Sequence, residues 1–113
     1  MKDCLFCKIA NGEIPSEIYY QDDFLLAFKD VNPVAPTHFL VIPRKHIGSM
    51  NEMKSEFEIA GKLLCKISEL AELMGLHENG YRVLTNTGKH GGQSVAHLHF
   101  HVLGGRHLAW PPG

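Results

Sequence analysis

The chain has 113 residues, with 11 basic and 12 acidic side chains, and its net charge of −1 gives no reason to expect binding to nucleic acid or to a membrane surface. Apolar residues make up 44% of the sequence and charged residues 20%, which is typical of a globular protein with one domain over residues 1–113. No segment reaches about 18 apolar residues and the N-terminus lacks an apolar signal core, so we expect a cytoplasmic protein. Three cysteines in that reducing compartment argue against a disulfide framework.

The first predicted element is a short helix over residues 4–10, which the turn signal Asn11-Gly12 ends. Cys4 and Cys7 lie three residues apart at its start. Such a pair supplies half of a tetrahedral zinc site, and the other ligands would have to be histidines. The alternative is two reduced, free thiols.

Three strands are predicted next, over residues 17–21, 25–29 and 38–42. Asp22-Asp23 forms the turn between the first two. Asp30 directly follows the second strand, and an isolated aspartate in that place is usually a turn former. The order of these elements predicts an antiparallel hairpin followed by a third strand.

A long helix is predicted after residue 55. Ser55 and Glu58 have the spacing of a capping box, and Gly75 ends the run. Cys65 is expected to be a small buried hydrophobe within it. The apolar residues that recur at helical spacing are Ala60, Leu63, Leu64, Ile67, Leu70, Ala71 and Met74. Ile59 and Leu73 lie off this stripe, so the apolar surface is wider than one sheet face requires; either the whole helix is well buried or part of this surface meets a second subunit.

After a further strand over residues 81–85, three histidines alternate with apolar residues. This period of two predicts a strand on which His97, His99 and His101 project from one side, about 6.5–7 Å apart. Neutral imidazole is costly to bury without a hydrogen-bond partner. The alternative, in which these histidines have no catalytic or metal-binding role, is a strand face exposed to solvent.

Two chemical interpretations of the histidines compete. The His-x-His spacing suits a metal site, whereas a nucleophilic histidine oriented by two neighbouring imidazoles would suit covalent catalysis. The preceding segment favours the second. Gly91 and Gly92 let backbone N–H groups approach a ligand closely, and Gln93 and Ser94 add polar side chains suited to phosphate oxygens.

The sequence resembles the Hint branch of the histidine-triad (HIT) superfamily over essentially the whole chain. The resemblance implies an α+β fold with a five-stranded antiparallel sheet, one short helix and one long helix. It also implies a homodimer in which two chains form a ten-stranded sheet. The matching segments are residues 30–33, 35–43, 90–94, 97–105 and 110–113.

The activity implied by the resemblance is that of a purine nucleoside phosphoramidase. His99 would attack the α-phosphorus of a nucleoside 5′-phosphoramidate and form a nucleotidyl-histidine. His97 would orient His99 through its backbone carbonyl, while His101 or Ser94 would deliver a proton to the leaving nitrogen. The Asn86 amide and backbone N–H groups nearby would stabilise the phosphoryl oxygens.

The resemblance also implies where a purine nucleotide such as AMP or GMP would bind. Asp30 would accept both ribose hydroxyls, and His38 would lie behind the triad and hold the first imidazole. Trp110 in the C-terminal tail would lie near the partner's active site. The apolar slot for the base would consist of Phe6, Ile9, Phe28, Val31 and Leu40, and the phosphate would meet Gly92, Gln93 and Ser94.

By the same resemblance, Cys4, Cys7, His46 and His97 would hold a structural zinc ion, and no cofactor would be needed for catalysis. Three alternatives stay open. They are a dinucleoside polyphosphate hydrolase, a nucleotide-binding regulatory protein with incidental turnover, and an interaction module stabilised by zinc.

Overall fold

The computed structural model describes residues 3–113. It has the predicted α+β fold, with five strands in one antiparallel sheet in the order β1-β2-β3-β5-β4 and two helices. No helix among residues 3–113 is long and apolar enough to cross a membrane. The elements are α1 (Leu5–Ala10), β1 (Ile18–Gln21), β2 (Leu25–Lys29), β3 (Thr37–Pro43), α2 (Phe57–Leu73), β4 (Tyr81–Leu84) and β5 (Phe100–Gly104).

The central strands are buried on both faces of the sheet. Along β2, Leu25 and Ala27 belong to the core cluster that contains α2, whereas Leu26 and Phe28 belong to the cluster that contains α1. The same alternation runs along β3, because successive side chains of a strand point to opposite faces. The two helices therefore cover opposite faces of the sheet.

Helix α1 begins and ends as its sequence predicts. The Cys4 side chain accepts a hydrogen bond from the Cys7 backbone N–H, with 3.3 Å between sulfur and nitrogen, and so caps the helix. Gly12 follows the helix with a φ of +77°, a conformation that glycine adopts without strain. The Phe6 ring packs edge-on against Phe28, with centroids 5.6 Å apart, which fixes α1 on the sheet.

Helix α2 begins one residue later than the predicted capping box requires. Glu56, not Ser55, is the N-cap residue, and its carboxylate forms an ion pair with Lys45 instead of capping a backbone N–H. The prediction of a Ser55 cap was wrong, because a tertiary contact decides where this helix starts.

The buried stripe of α2 is narrower than predicted and consists of Leu63, Ile67, Leu70 and Ala71. Leu64 is 54% exposed and Met74 is 36% exposed, so within the single chain these two residues do not face the core. Cys65 is also exposed, and the prediction that it is buried was wrong. Each residue turns about 100° around a helix, which carries Leu64 and Cys65 away from the sheet that Leu63 faces.

Strand β5 is shorter than the histidine pattern predicts. It begins at Phe100, so His97 and His99 precede the sheet and only His101 lies within it. The Leu98 backbone N–H donates to the Ile47 carbonyl oxygen at 2.6 Å, which ties this segment to the loop after β3. The His97 and His99 rings of this segment pack against Phe6 of α1, whereas Leu98 belongs to the core cluster that contains α2.

Candidate active site

A cleft of about 310 Å³ opens between α1, the end of β2 and the segment that carries the histidines. His99 and His101 lie on its floor and Asp30 lies on its wall. Of the residues predicted to bind a nucleotide, those that line the cleft are Phe6, Ile9, Phe28, Asp30, Val31, Leu40, Ser94, His99 and His101. The resemblance assigned these residues to one site although they lie far apart in the sequence, and the fold brings them together.

His99 is the most constrained side chain of the cleft. Its ring is 3% exposed, and its Nδ1 lies 2.7 Å from the carbonyl oxygen of His97. A carbonyl oxygen only accepts, so Nδ1 carries the hydrogen and Nε2 of the neutral ring is unprotonated. Phe6 packs against the ring edge-on at 4.9 Å and limits its rotation.

His101 is held by a different partner. Its Nδ1 lies 2.9 Å from His38 Nε2, and Asp30 Oδ2 lies 3.3 Å from the same His38 nitrogen. His38 therefore contacts the third imidazole of the triad, and the prediction that it holds the first was wrong. The register of the sheet explains the difference, because β3 and β5 pair Leu40 with His101 and bring the two rings to one face.

Burial lowers the pKa of three histidines of this site, His101, His38 and His97. Desolvation lowers the pKa of His101 to about 4, and the neighbouring rings of His99 and His38 add to that effect. Desolvation also lowers the pKa of His38, although the Asp30 carboxylate opposes it, and lowers the pKa of His97. The alternative of a solvated face of histidines is thus wrong for this segment.

The glycine-rich loop before the histidines is stabilised by its own hydrogen bonds. Gln93 donates from Nε2 to the carbonyl oxygens of Gly48 and Val95 at 2.7 and 3.0 Å, and its Oε1 accepts from the Gly88 N–H. Asn86 donates from Nδ2 to the Gly91 carbonyl oxygen at 2.7 Å. The Gln93 side chain therefore positions the loop and is not free to meet a phosphate as predicted.

Two glycines of this loop are needed for its shape. Gly92 has a φ of +75°, and its N–H donates to the Lys89 carbonyl oxygen at 3.2 Å. A Cβ on Gly91 would lie 2.4 Å from the Thr87 carbonyl oxygen, so only glycine fits there. Ser94 is exposed at the end of the loop, where it lines the cleft.

Behind the cleft, four side chains form a group with the donor set of a zinc site. The possible ligand atoms of Cys4, Cys7, His46 and His97 all lie within 4.8 Å of one another. His97 Nδ1 lies 3.2 Å from Cys4 Sγ and 3.5 Å from Cys7 Sγ. Zinc bonds of about 2.0–2.3 Å would give tetrahedral edges of about 3.5 Å between sulfur and nitrogen, so the group fits a zinc ion.

The hydrogen bond of His97 Nε2 leaves Nδ1 available as a zinc ligand. This Nε2 lies 2.9 Å from the Pro43 carbonyl oxygen, so Nε2 carries the hydrogen and Nδ1 is free to act as a ligand. Burial raises the pKa of the Cys7 thiol, and the neighbouring Cys4 raises it further. A metal ion would have to displace that proton on binding.

The sequence did not predict every residue of the cleft. The segment 14–16 after α1 and Asn32 line it, but loop residues without a periodic pattern gave no signal. Trp110, predicted to lie near a partner's active site, is 80% exposed in the single chain and does not line its cleft. Gly92, Asn86 and Gln93 also lie outside the cleft lining.

Comparison with known proteins identifies relatives of this chain. A family model described as the HIT domain matches residues 11–108. A purine nucleoside phosphoramidase of Escherichia coli is 47% identical over 108 residues, which are 95% of this chain and 91% of that protein. An uncharacterized HIT-like protein of Synechococcus elongatus is 51% identical over 113 residues, which are 99% of this chain and 98% of the relative.

Solved structures share the fold. A HIT family hydrolase from Legionella pneumophila has a TM-score of 0.96 and 48% identity, over 98% of this chain and 100% of that one. A histidine triad protein from Clostridium difficile has a TM-score of 0.93 and 47% identity, over 96% of both chains.

The lowered pKa of His101 predicts a pH-dependent stability. The unfolded chain binds a proton at this residue below its ordinary pKa of 6.5, whereas the folded chain binds it only below about 4. The free energy of unfolding should therefore fall as the pH is lowered from about 7 to about 5. Urea denaturation of wild type and of His101→Asn should give a smaller fall in the variant.

Exposed His77 offers a matched control. His77→Asn should keep the full pH dependence of the wild type. An equal fall in the His101→Asn protein and in the wild type would contradict the assignment of this titration to His101.

Proposed function

The chain belongs to the HIT domain family and is a hydrolase, and we propose that it cleaves the phosphorus–nitrogen bond of purine nucleoside 5′-monophosphoramidates. The observation that carries the proposal is the tautomer of His99. Because Nδ1 donates to the His97 carbonyl oxygen, Nε2 remains as the free nitrogen of a ring that lines the cleft. An unprotonated imidazole nitrogen held in this way is prepared to act as a nucleophile.

In the first step, His99 Nε2 attacks the α-phosphorus, a bond forms between them, and the bond from phosphorus to the amine nitrogen breaks. The amine leaves with a proton from His101 or Ser94, both of which line the cleft. The His97 carbonyl oxygen stabilises the positive charge that the His99 ring acquires in the intermediate, since it accepts the remaining Nδ1–H.

In the second step, water attacks the phosphorus of the nucleotidyl-histidine. The bond from phosphorus to Nε2 breaks, the nucleoside monophosphate leaves, and the proton of the water restores the group that protonated the amine. His101 and Ser94 would stabilise the phosphoryl oxygens in both steps, while Asn86 would hold the glycine-rich loop through its bond to the Gly91 carbonyl oxygen. Neither of these two steps requires a metal or a cofactor.

The cleft offers complementary groups for a purine nucleoside. The apolar side chains of Phe6, Ile9, Phe28 and Leu40 suit the faces of a base, and Asp30 suits the two ribose hydroxyls because an ionised carboxylate accepts strong hydrogen bonds. The phosphoramidase relative from Escherichia coli supports the choice of this substrate class.

We also propose that the protein acts as a homodimer with a continuous ten-stranded sheet. Strand β4 is an edge strand, and Tyr81 and Val83 on it are 36% and 37% exposed. Leu64 of α2 adds an apolar residue that the single chain leaves 54% exposed. An edge strand flanked by exposed apolar residues suits pairing with a second copy, which would also bring the tail with Trp110 close to the partner's cleft.

The four residues Cys4, Cys7, His46 and His97 are proposed to bind a structural zinc ion. Zinc would cross-link the start of α1, the loop after β3 and the histidine segment, which are far apart in sequence. It would supply folding stability and not chemistry, because the ligands lie behind the nucleophile and leave no open position in the cleft.

Replacement of the nucleophile gives the first test of this function. His99→Ala should reduce kcat for adenosine 5′-phosphoramidate by about 10⁴-fold or more, since the covalent step is lost, while AMP binding stays within about tenfold of wild type. Rapid quenching followed by mass spectrometry should detect a nucleotidyl group on wild-type His99 only.

The matched control is His90→Ala, because His90 is exposed on the loop before the glycines. It should retain wild-type turnover. Faster hydrolysis of diadenosine triphosphate than of the phosphoramidate by the wild type would favour the polyphosphate hydrolase, and normal turnover by His99→Ala would refute the nucleophile.

A second prediction concerns zinc. Protein purified without chelators should contain about one zinc per chain by mass spectrometry, and Cys4→Ser with Cys7→Ser should lose it and lower the Tm by about 10 °C or more. Cys65→Ser removes an exposed cysteine and should change neither value. Equal zinc content in the double variant and in Cys65→Ser would contradict the proposed ligands.

The dimer gives a third prediction. Val83→Lys places a charge on the free edge of β4 and should convert a dimer to a monomer in size-exclusion chromatography with light scattering. Ile18 is equally exposed at 37% on the opposite edge strand, so Ile18→Lys is a matched control that should remain dimeric. A wild-type monomer, or dissociation by both variants, would count against this interface.

A further inference from the structure

His38 has one hydrogen to donate and two acceptors within reach. Its Nδ1 accepts from the Val34 backbone N–H at 3.1 Å, so the neutral ring carries its hydrogen on Nε2. That Nε2 lies 2.9 Å from Nδ1 of His101 and 3.3 Å from Oδ2 of Asp30. The shorter contact has the geometry of a hydrogen bond, so in the single chain the hydrogen points at His101, and the Asp30 carboxylate is close enough to compete for it.

The outcome of this competition decides what His101 can do. When His38 donates to His101 Nδ1, the neutral His101 ring must carry its own hydrogen on Nε2, the remaining nitrogen of a ring that lines the cleft. It is then a donor to a phosphoryl oxygen. When the hydrogen turns to Asp30, Nδ1 of His101 loses its donor and the tautomer of the ring is no longer fixed.

Asp30 is also open to the cleft. Its Oδ1 accepts from the Asn32 backbone N–H at 2.8 Å, so Oδ2 is the oxygen that either His38 or a ligand can use. A sugar hydroxyl that donates to this carboxylate satisfies part of its capacity to accept. The attraction of Asp30 for the His38 hydrogen then becomes weaker.

We propose that Asp30 and His38 couple recognition of the sugar to preparation of the phosphoryl site. Hydroxyls bound at Asp30 remove its competition for the His38 hydrogen and so hold that hydrogen on His101, and His101 is thereby fixed as a donor to the phosphoryl oxygen. This inference rests on the proposed nucleotide hydrolase function. It makes Asp30 a specificity-determining residue and His38 a positioning residue, and it means that the sugar hydroxyls raise kcat as well as lower KM.

Turnover of two substrates tests the coupling. Adenosine 5′-phosphoramidate and its 2′,3′-dideoxy counterpart differ only in the hydroxyls that Asp30 would bind. In the wild type, kcat at saturation should be about tenfold or more lower for the dideoxy substrate, since one preorganised donor is lost. A loss confined to KM would overturn the coupling and leave the phosphoramidase function intact.

Two variants should both bring the kcat ratio of the substrates toward 1, one by slowing the ribose substrate and the other by speeding the dideoxy substrate. His38→Phe keeps an aromatic ring without a donor, so the ratio should fall toward 1 because the ribose substrate becomes slow. In Asp30→Asn the amide oxygen can still accept from Asn32, but its NH₂ group replaces Oδ2 and cannot accept. This variant should hydrolyse the dideoxy substrate faster than the wild type does.

His77→Phe replaces an exposed histidine and should keep the wild-type ratio. An unchanged ratio in His38→Phe would overturn the coupling. The wild type provides a test that needs no variant and no turnover. In ¹⁵N NMR of labelled histidines, AMP should shift His101 to the Nε2–H tautomer, whereas 2′,3′-dideoxy-AMP should not.

A tautomer change with AMP alone supports the coupling even if the phosphoramidate is not hydrolysed, in which case the proposed substrate would be wrong. Identical His101 spectra with both nucleotides would overturn the coupling.

Discussion

The site depends on one constraint, which is that each imidazole of the triad, buried or half-buried, must satisfy one of its nitrogens inside the protein. Three different acceptors or donors meet this need: the Pro43 carbonyl for His97, the His97 carbonyl for His99, and His38 for His101. Because an unpartnered polar group is costly to bury, these contacts are obligatory. Each contact leaves the other nitrogen of its ring free, and in each ring that nitrogen faces a different environment.

The different roles of His97, His99 and His101 follow from this constraint. His97 presents Nδ1 to the cysteines, whereas His99 is left with an unprotonated Nε2 in the cleft. Residues of the same type thus acquire different chemistry from the partner that each one meets. The sheet makes this possible because β3 lies between β2 and β5, so that His38 and the end of β2 reach the same face as His101.

Much of this could be predicted from the sequence, since periodic patterns carry information about faces. The strands and the short helix were predicted because apolar residues alternate or recur along them, whereas most of the cleft lining was predicted only from the resemblance to the Hint branch. Contacts that depend on register could not be predicted. Three such contacts are the His38–His101 hydrogen bond, the Lys45–Glu56 ion pair at the start of α2 and the bond from Gln93 to the Gly48 carbonyl oxygen. Each joins segments that are distant in the sequence, and no pattern in the sequence indicates that they meet.

His97 contacts the cysteines with its side chain and His99 with its backbone. Its ring belongs to the cysteine group, but the atom that holds His99 is the carbonyl oxygen of its main chain. Every amino acid possesses that oxygen, so the ring at this position is free to diverge while the backbone keeps the nucleophile in register. A substitution of the His97 side chain can therefore change the stability of the cysteine group while the backbone contact that orients His99 is kept.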